Sequence, residues 1–173
     1  MTMWVFGYGS LLWNPGFEPA EAVTATLSGY HRSFCMLSIH HRGTVEDPGL
    51  VLALDASDAS CVGVAFRVAE AEEDRVLAEL RARELISSAY LEARVPLVLE
   101  DGRDVEGLAY VIDRTHEQYC QFDLETQAQM IARSVGGRGP NPEYLYNTAE
   151  HLVQMGINDP EMAWLVARVR DLA

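Results

Sequence analysis

The chain has 173 residues, 49% of them apolar, and a net charge of −13, which is enough length and apolar surface for one domain, 1–173, with a full hydrophobic core. The acidity argues against nucleic acid and against an anionic membrane surface, since both are met by basic patches, and it leaves any anionic ligand to local arginines. No basic segment followed by a long apolar run opens the chain, so neither a signal peptide nor a membrane span is expected; Cys35, Cys61 and Cys120, far apart and without a CxxC, are expected as reduced thiols of a cytoplasmic protein, two of them in the core.

In chain order, Met3–Phe6 is an apolar, β-branched and aromatic run that reads as a buried strand. Gly7-Tyr8-Gly9-Ser10 follows as a turn whose glycines permit either positive φ or close backbone approach, before Leu11-Leu12-Trp13 resumes the apolar pattern. Val23–Leu27 and Phe34–Ile39 read as strands with a bend at Gly29-Tyr30, and the charged, Gly- and Pro-bearing stretch from His40 to Gly49 reads as a loop. Leu50–Leu54 and Cys61–Val68 read as two strands joined by a polar turn over Asp55–Ser60. The period then changes: Val76, Leu77, Leu80 and Glu84 share one face of a helix over 70–86.

Alternate apolar residues from Leu91 to Leu99, the Asp101-Gly102 turn signal and Val105–Ile112 make a hairpin. Asp123 caps a helix that runs to about Val135 and stops at Gly136-Gly137. Asn141 and Pro142 supply an N-cap and N1 proline for a helix to about Met155, and Asp159-Pro160 repeats that signature for a last helix to Leu172. Strands, one helix, a hairpin and then helices suggest an α+β domain, its small mixed sheet curled into a barrel.

Glu84 is the carboxylate that stands out. It continues the stripe of Val76 and Leu80, so a helix turns it inward, and it lies near the helix C-terminus, where the macrodipole disfavours negative charge. Burial and dipole both push towards a raised pKa, which suits a group that takes and returns a proton near neutrality. Spacing alone favours the alternative, pairing with Arg81, Arg83 or solvent, because most helical glutamates are solvated. The glycine turn can aim backbone N–H groups, with the Ser10 hydroxyl, at a carboxylate or developing oxyanion, although an arbitrary GxGS is more often a plain turn. No lysine follows to make a phosphate loop, and no third glycine completes a dinucleotide fingerprint. A serine hydrolase lacks its G-x-S-x-G elbow here. The adjacent pair His40-His41 points to opposite faces of a strand and would not chelate a metal.

With these residues in view, the chain resembles the ChaC family of γ-glutamylcyclotransferases. The resemblance is carried by Val5-Phe6-Gly7-Tyr8-Gly9-Ser10-Leu11, His41-Arg42-Gly43, Pro48-Gly49, Cys61 to Phe66, Arg83-Glu84 followed by Tyr90, and Gly139 to Leu145 with Glu143-Tyr144-Leu145. It implies a mixed sheet closed into a barrel with helices packed outside. It also implies cleavage of glutathione into 5-oxoproline and cysteinylglycine, with no metal or cofactor. Glu84 becomes the catalytic base, and the substrate-binding set is Val5, Phe6, Gly7, Tyr8, Gly9, Ser10, Leu11, Arg42, Tyr90 and Tyr144, with Arg42 and Tyr144 meeting the glycyl end. Cyclotransferases acting on other γ-glutamyl compounds, or a non-catalytic binder of small acids, remain the alternatives, and the oligomeric state is open. Family members usually carry a glycine between the Glu and the Tyr, where this chain has Leu85-Ile86-Ser87-Ser88-Ala89. Gly9→Val is expected to be far more harmful than Gly49→Ala.

Overall fold

A computed structural model describes residues 2–85 and 88–173. Five strands close into a barrel in the order β1-β3-β2-β4-β5: β1 (Met3–Gly7), β2 (Glu21–Ser38), β3 (Gly49–Val68), β4 (Tyr90–Leu99) and β5 (Asp104–Ile112). The sheet is mixed, because β1 runs antiparallel to β3 from Met3↔Val68 to Gly7↔Val64 but parallel to β5 at Trp4↔Gly107 and Val5↔Leu108. The expected α+β barrel is therefore present, and among the described residues no helix is long and apolar enough to cross a membrane.

The chain divides into two compact units, 1–33 with 53–116 and 34–52 with 117–173. The first holds β1, β4, β5 and the greater parts of β2 and β3, together with α1 (Glu73–Glu84), which follows a 3-10 turn at Glu70–Glu72. Val76 and Leu80 of α1 pack with Val5, Leu11, Val68 and Tyr110 in one buried cluster, with Phe17, Leu85 and Tyr90 against its edge. Burying each such aliphatic side chain contributes about 1.5–3 kcal/mol, which fixes the helix face. Leu77 is only half buried, and Glu84 is the last residue of the helix.

Two strands are longer than the sequence suggests. β2 is continuous for 18 residues, passing Gly29 at φ +91°; a glycine in the left-handed region lets the strand kink without ending. β3 is continuous for 20 residues, so the expected turn at Asp55–Ser60 is absent. Asp55 is buried and accepts Arg114 Nε at 2.7 Å, while residues 56–58 face solvent; the polar run marks an exposed ribbon rather than a break. The alternation of β4 holds from Val95 to Leu99, but Leu91 is exposed.

In the second unit, α2 (Leu124–Arg133), α3 (Asn141–Gln154) and α4 (Pro160–Leu172) pack pairwise. Asp123 and Asp159 cap α2 and α4 as expected, accepting from Thr126 N and Met162 N. α2 stops two residues short of Val135, and a small hairpin, β6 (Val135–Gly136) with β7 (Gly139–Pro140), fills the gap.

Asn141 departs from its expected role. It is the first helical residue rather than the cap, and its amide pairs with the backbone of Leu50, accepting from N at 2.8 Å and donating to O at 2.9 Å. Gly49, taken from sequence as a tolerant position, is the opposite: a Cβ there would lie 2.3 Å from Arg42 O and 2.7 Å from Asn141 Oδ1. Gly49→Ala is accordingly expected to destabilise by about 1–3 kcal/mol or more as overpacking against backbone, measurable as a lower melting temperature. All three cysteines are buried free thiols.

Candidate active site

The first unit builds the site from the end of β1. After Gly7 the chain turns through Tyr8 and Gly9 into a single 3-10 turn, Ser10–Leu12, closed by Leu12 N–H to Gly9 O at 2.9 Å and Asn14 N–H to Ser10 O at 3.0 Å. Neither glycine has positive φ; Gly9 has φ −135°. At Gly7 close approach is what matters, because a Cβ would sit 3.1 Å from the backbone of Leu11 and Leu12. The N–H groups that open such a turn have no partner within it, and Ser10 is exposed. Val5, Phe6 and Leu11 are buried side chains, so the seven-residue stretch divides into a core-anchored frame and the short Gly7–Ser10 turn.

Arg83 ties this turn to the end of α1. Its Nη1 donates to Asn14 O at 2.7 Å and its Nη2 to Ser10 Oγ at 3.1 Å, while its Nε lies 3.5 Å from Glu84 Oε1. One guanidinium thus brings Ser10 and Glu84 to the same place. Glu84's side chain is 14% exposed. Burial pushes its carboxyl above the ordinary value of 4.5, and the Arg83 charge opposes that less strongly. Arg81 is committed elsewhere, in a two-pronged pair with Glu92 at 3.0 Å. Of the pairings the sequence left open, only Arg83 is close, and it forms an ion pair without a short hydrogen bond.

Tyr90 packs half buried on the edge of the cluster that holds Val76, Leu80 and Tyr110. Ser88 takes φ +57°, a left-handed conformation that costs a non-glycine residue about 1–2 kcal/mol. Ile86 and Ser87 of the same departure lie outside the described residues.

Arg42 and Tyr144 belong to the second unit and meet there. The Arg42 guanidinium lies 5.8 Å from the centroid of the Tyr144 ring, donates to Pro140 O at 3.1 Å and stands 3.7 Å from the Glu143 carboxylate. It does not pair with Glu46 or Asp47, the sequence-based alternative, among the described ion pairs. The Tyr144 hydroxyl accepts Leu52 N–H at 3.2 Å, and its ring meets Phe34 edge-on at 6.1 Å.

Sequence reasoning missed two groups. Arg32 is a buried arginine whose Nε donates to Tyr8 O at 2.8 Å and whose Nη2 bonds Val62 O; it falls between the two strands read from sequence, where nothing local signals its burial. Tyr110 is fully buried, and its hydroxyl donates to Glu92 Oε1 at 3.0 Å. Burial first, then that bond and the Glu92 and Glu84 charges, hold the phenol proton well above its usual range. No pattern in the Gly-Leu-Ala-Tyr-Val-Ile run of β5 distinguishes that tyrosine from ordinary core.

Among the described residues no group of three or more His, Cys, Asp or Glu is placed to hold a metal. The sequence matches the family described as ChaC-like protein over residues 3–172. It is 38% identical over 172 residues to the glutathione-specific gamma-glutamylcyclotransferase of Escherichia coli (strain K12), covering 98% of this chain and 74% of that protein. It is 32% identical over 180 residues to gamma-glutamylcyclotransferase 2-3 of Arabidopsis thaliana, covering 99% and 90%. The crystal structure of a glutathione-specific cyclotransferase from yeast superposes with a TM-score of 0.85 at 23% identity, covering 98% of this chain and 96% of that one, so the fold is shared. Matched from residue 3 to 172, and similar along nearly its whole length to cyclotransferases more than 30% identical to it, the chain belongs to the ChaC-like protein family.

Proposed function

We propose that this chain is a γ-glutamylcyclotransferase that cleaves glutathione to 5-oxoproline and cysteinylglycine, acting as a single domain over 1–173 with Glu84 as general base and acid. The observation that carries the chemistry is the Glu84 carboxylate itself: largely shielded from solvent, raised in pKa by that burial, and set beside the Ser10 turn through Arg83. The names of the relatives support the substrate.

In a γ-glutamyl amide the nucleophile is already tethered, so the protein mainly has to hold the folded conformer and manage protons. The α-amine is an ammonium at neutral pH, with a reference pKa near ~8. Glu84 takes a proton from it, and the freed nitrogen attacks the γ-carbonyl carbon to close the five-membered lactam. The carbonyl oxygen carries the negative charge of the tetrahedral intermediate, and N–H groups of the Gly9–Ser10 turn are the proposed donors to it or to the α-carboxylate. The bond from that carbon to the cysteinyl nitrogen then breaks as protonated Glu84 gives its proton to the departing amine; the regenerated carboxylate takes the second proton from the ring nitrogen, leaving a neutral lactam, and passes it to the freed cysteinyl amine, which departs as an ammonium. No step calls for a metal or cofactor.

Incubation of the purified protein with glutathione, with 5-oxoproline and cysteinylglycine read by mass spectrometry, tests the proposal. Equal turnover of γ-glutamyl-alanine would leave a broader cyclotransferase, and binding without product would leave a non-catalytic binder, for which a desolvated carboxylate has no use.

The resemblance assigns Arg42 and Tyr144 to the glycyl carboxylate, and the start of α3 favours an anion. Tyr144→Phe is expected to raise KM for glutathione with little change in kcat, and to leave KM for a γ-glutamyl amino acid without the glycine unchanged. Because the hydroxyl also receives Leu52 N–H, the melting temperature is measured alongside; an equal KM rise for both substrates would remove Tyr144 from that role.

A further inference from the structure

A second carboxylate, which the proposed reaction does not use, is tied to the same last turn of α1 that carries Glu84. Glu92 of β4 lies directly across from Tyr110 of β5 and accepts the Tyr110 hydroxyl proton at 3.0 Å. Arg81, three residues before Glu84 on the last turn of α1, grips the same carboxylate with Nε on Oε1 and Nη2 on Oε2, both at 3.0 Å. Arg81's bonds, ahead of Tyr110's, hold the Glu92 carboxyl below the ordinary range. Tyr110 packs in the same cluster as Val76 and Leu80, whose stripe Glu84 continues, and the Glu84 charge is felt at its phenol. The phenol thus shares the apolar cluster whose stripe Glu84 continues, while its proton is given to Glu92. Released from Glu92, that proton would serve Glu84 instead, stabilising the carboxylate and weakening it as a base.

We propose that Glu92 is a positioning residue for the reaction: by engaging both the Tyr110 hydroxyl and the Arg81 guanidinium, it keeps these two donors off Glu84 and ties the last turn of α1 to β4. This rests on the reading of Glu84 as the base. Among the described residues, Arg83 is the charged group that meets Glu84 directly; Arg81 of α1, Glu92 of β4 and Tyr110 of β5 form the neighbouring bonded set, Tyr90 of β4 packs on the same cluster, and the Ser10 hydroxyl is already held by Arg83.

The arrangement makes two opposite predictions. Glu92→Leu removes an anion and frees both donors, and each change favours ionised Glu84, so its titration moves to lower pH. Arg81→Met leaves Glu92 ionised without its cation, so the Glu84 titration moves to higher pH. A merely structural clamp would lower the melting temperature in both variants without shifts of opposite sign.

The experiment is a ¹³C NMR titration of the Glu84 side chain, assigned with Glu84→Gln, in the wild type and both variants, beside the acid limb of kcat/KM. Glu92→Gln keeps the shape and loses the charge; it is expected to shift in the direction of Glu92→Leu but less, and it serves if the leucine variant does not fold. Opposite shifts support the proposal. A Glu84 titration unmoved, or moved the same way in both variants, overturns it. If the NMR shifts appear but the acid limb does not follow them, the reading of Glu84 as base fails while the positioning arrangement stands.

Discussion

Glu84→Gln is expected to lower kcat by about 10²–10⁴-fold, the usual cost of losing a general base, while the fold and most of the substrate affinity persist. Glutamine keeps the shape of the side chain and its contact with Arg83 but cannot accept the ammonium proton. A variant retaining more than about a hundredth of wild-type kcat would remove Glu84 from the base role.

The same substitution has a stability consequence of the opposite sign. Burial raises the Glu84 carboxyl in the folded chain, so the folded state holds this proton more tightly than the unfolded one. Stability is therefore withdrawn as pH rises from the ordinary value of 4.5 through the folded-state value. Below that window the acid is neutral in both states and resembles glutamine. Glu84→Gln is expected to melt higher than wild type at pH 7–8, with the difference shrinking at acid pH, where thermal melts at several pH values would show it. The acid limb of kcat/KM in the wild type should lie above the ordinary carboxylate range for the same reason. A carboxylate that costs stability when ionised fits the proposed role of Glu84, a position selected for chemistry rather than for packing.

Much of this was legible because it depends on local period and capping. The α1 stripe of Val76 and Leu80 pointed Glu84 inward before any coordinates, and Asp123 and Asp159 announced their helices correctly. What was hidden depends on partners far along the chain. Nothing local in Asp55–Ser60 tells a turn from an exposed ribbon; the difference is that Arg114 arrives to neutralise a buried Asp55. Arg83 was visible as half of an Arg-Glu pair, yet its bond to Ser10, 73 positions earlier, is a tertiary fact. Glu92 looked like an outward-facing residue in a strand whose alternation of apolar positions began at Leu91. The structure exposes Leu91 and turns Glu92 to Tyr110 instead, a phase change that an alternation rule has no means to detect.

The largest expected effect on folding belongs to Asn141. Read from sequence it is a helix cap, and replacing a cap with alanine costs ~1 kcal/mol, with aspartate serving as well as asparagine. In the structure both Asn141 and Leu50 are completely buried, and the amide satisfies the N–H and the C=O of Leu50 together. It acts as a short stretch of neighbouring strand for β3 where β3 begins. Asn141→Ala leaves two buried backbone groups without partners, each worth about 1–3 kcal/mol, so a loss of about 2–6 kcal/mol is expected. At roughly 2–4 °C per kcal/mol for a chain of this size, that is a large fall in melting temperature. Asn141→Asp separates the two roles. It keeps an acceptor for Leu50 N–H but sets a carboxylate oxygen against Leu50 C=O in a site without solvent, where an unpaired charge is costly. The aspartate variant should therefore melt no higher than the alanine variant; aspartate restoring wild-type stability would return Asn141 to the role of a simple cap.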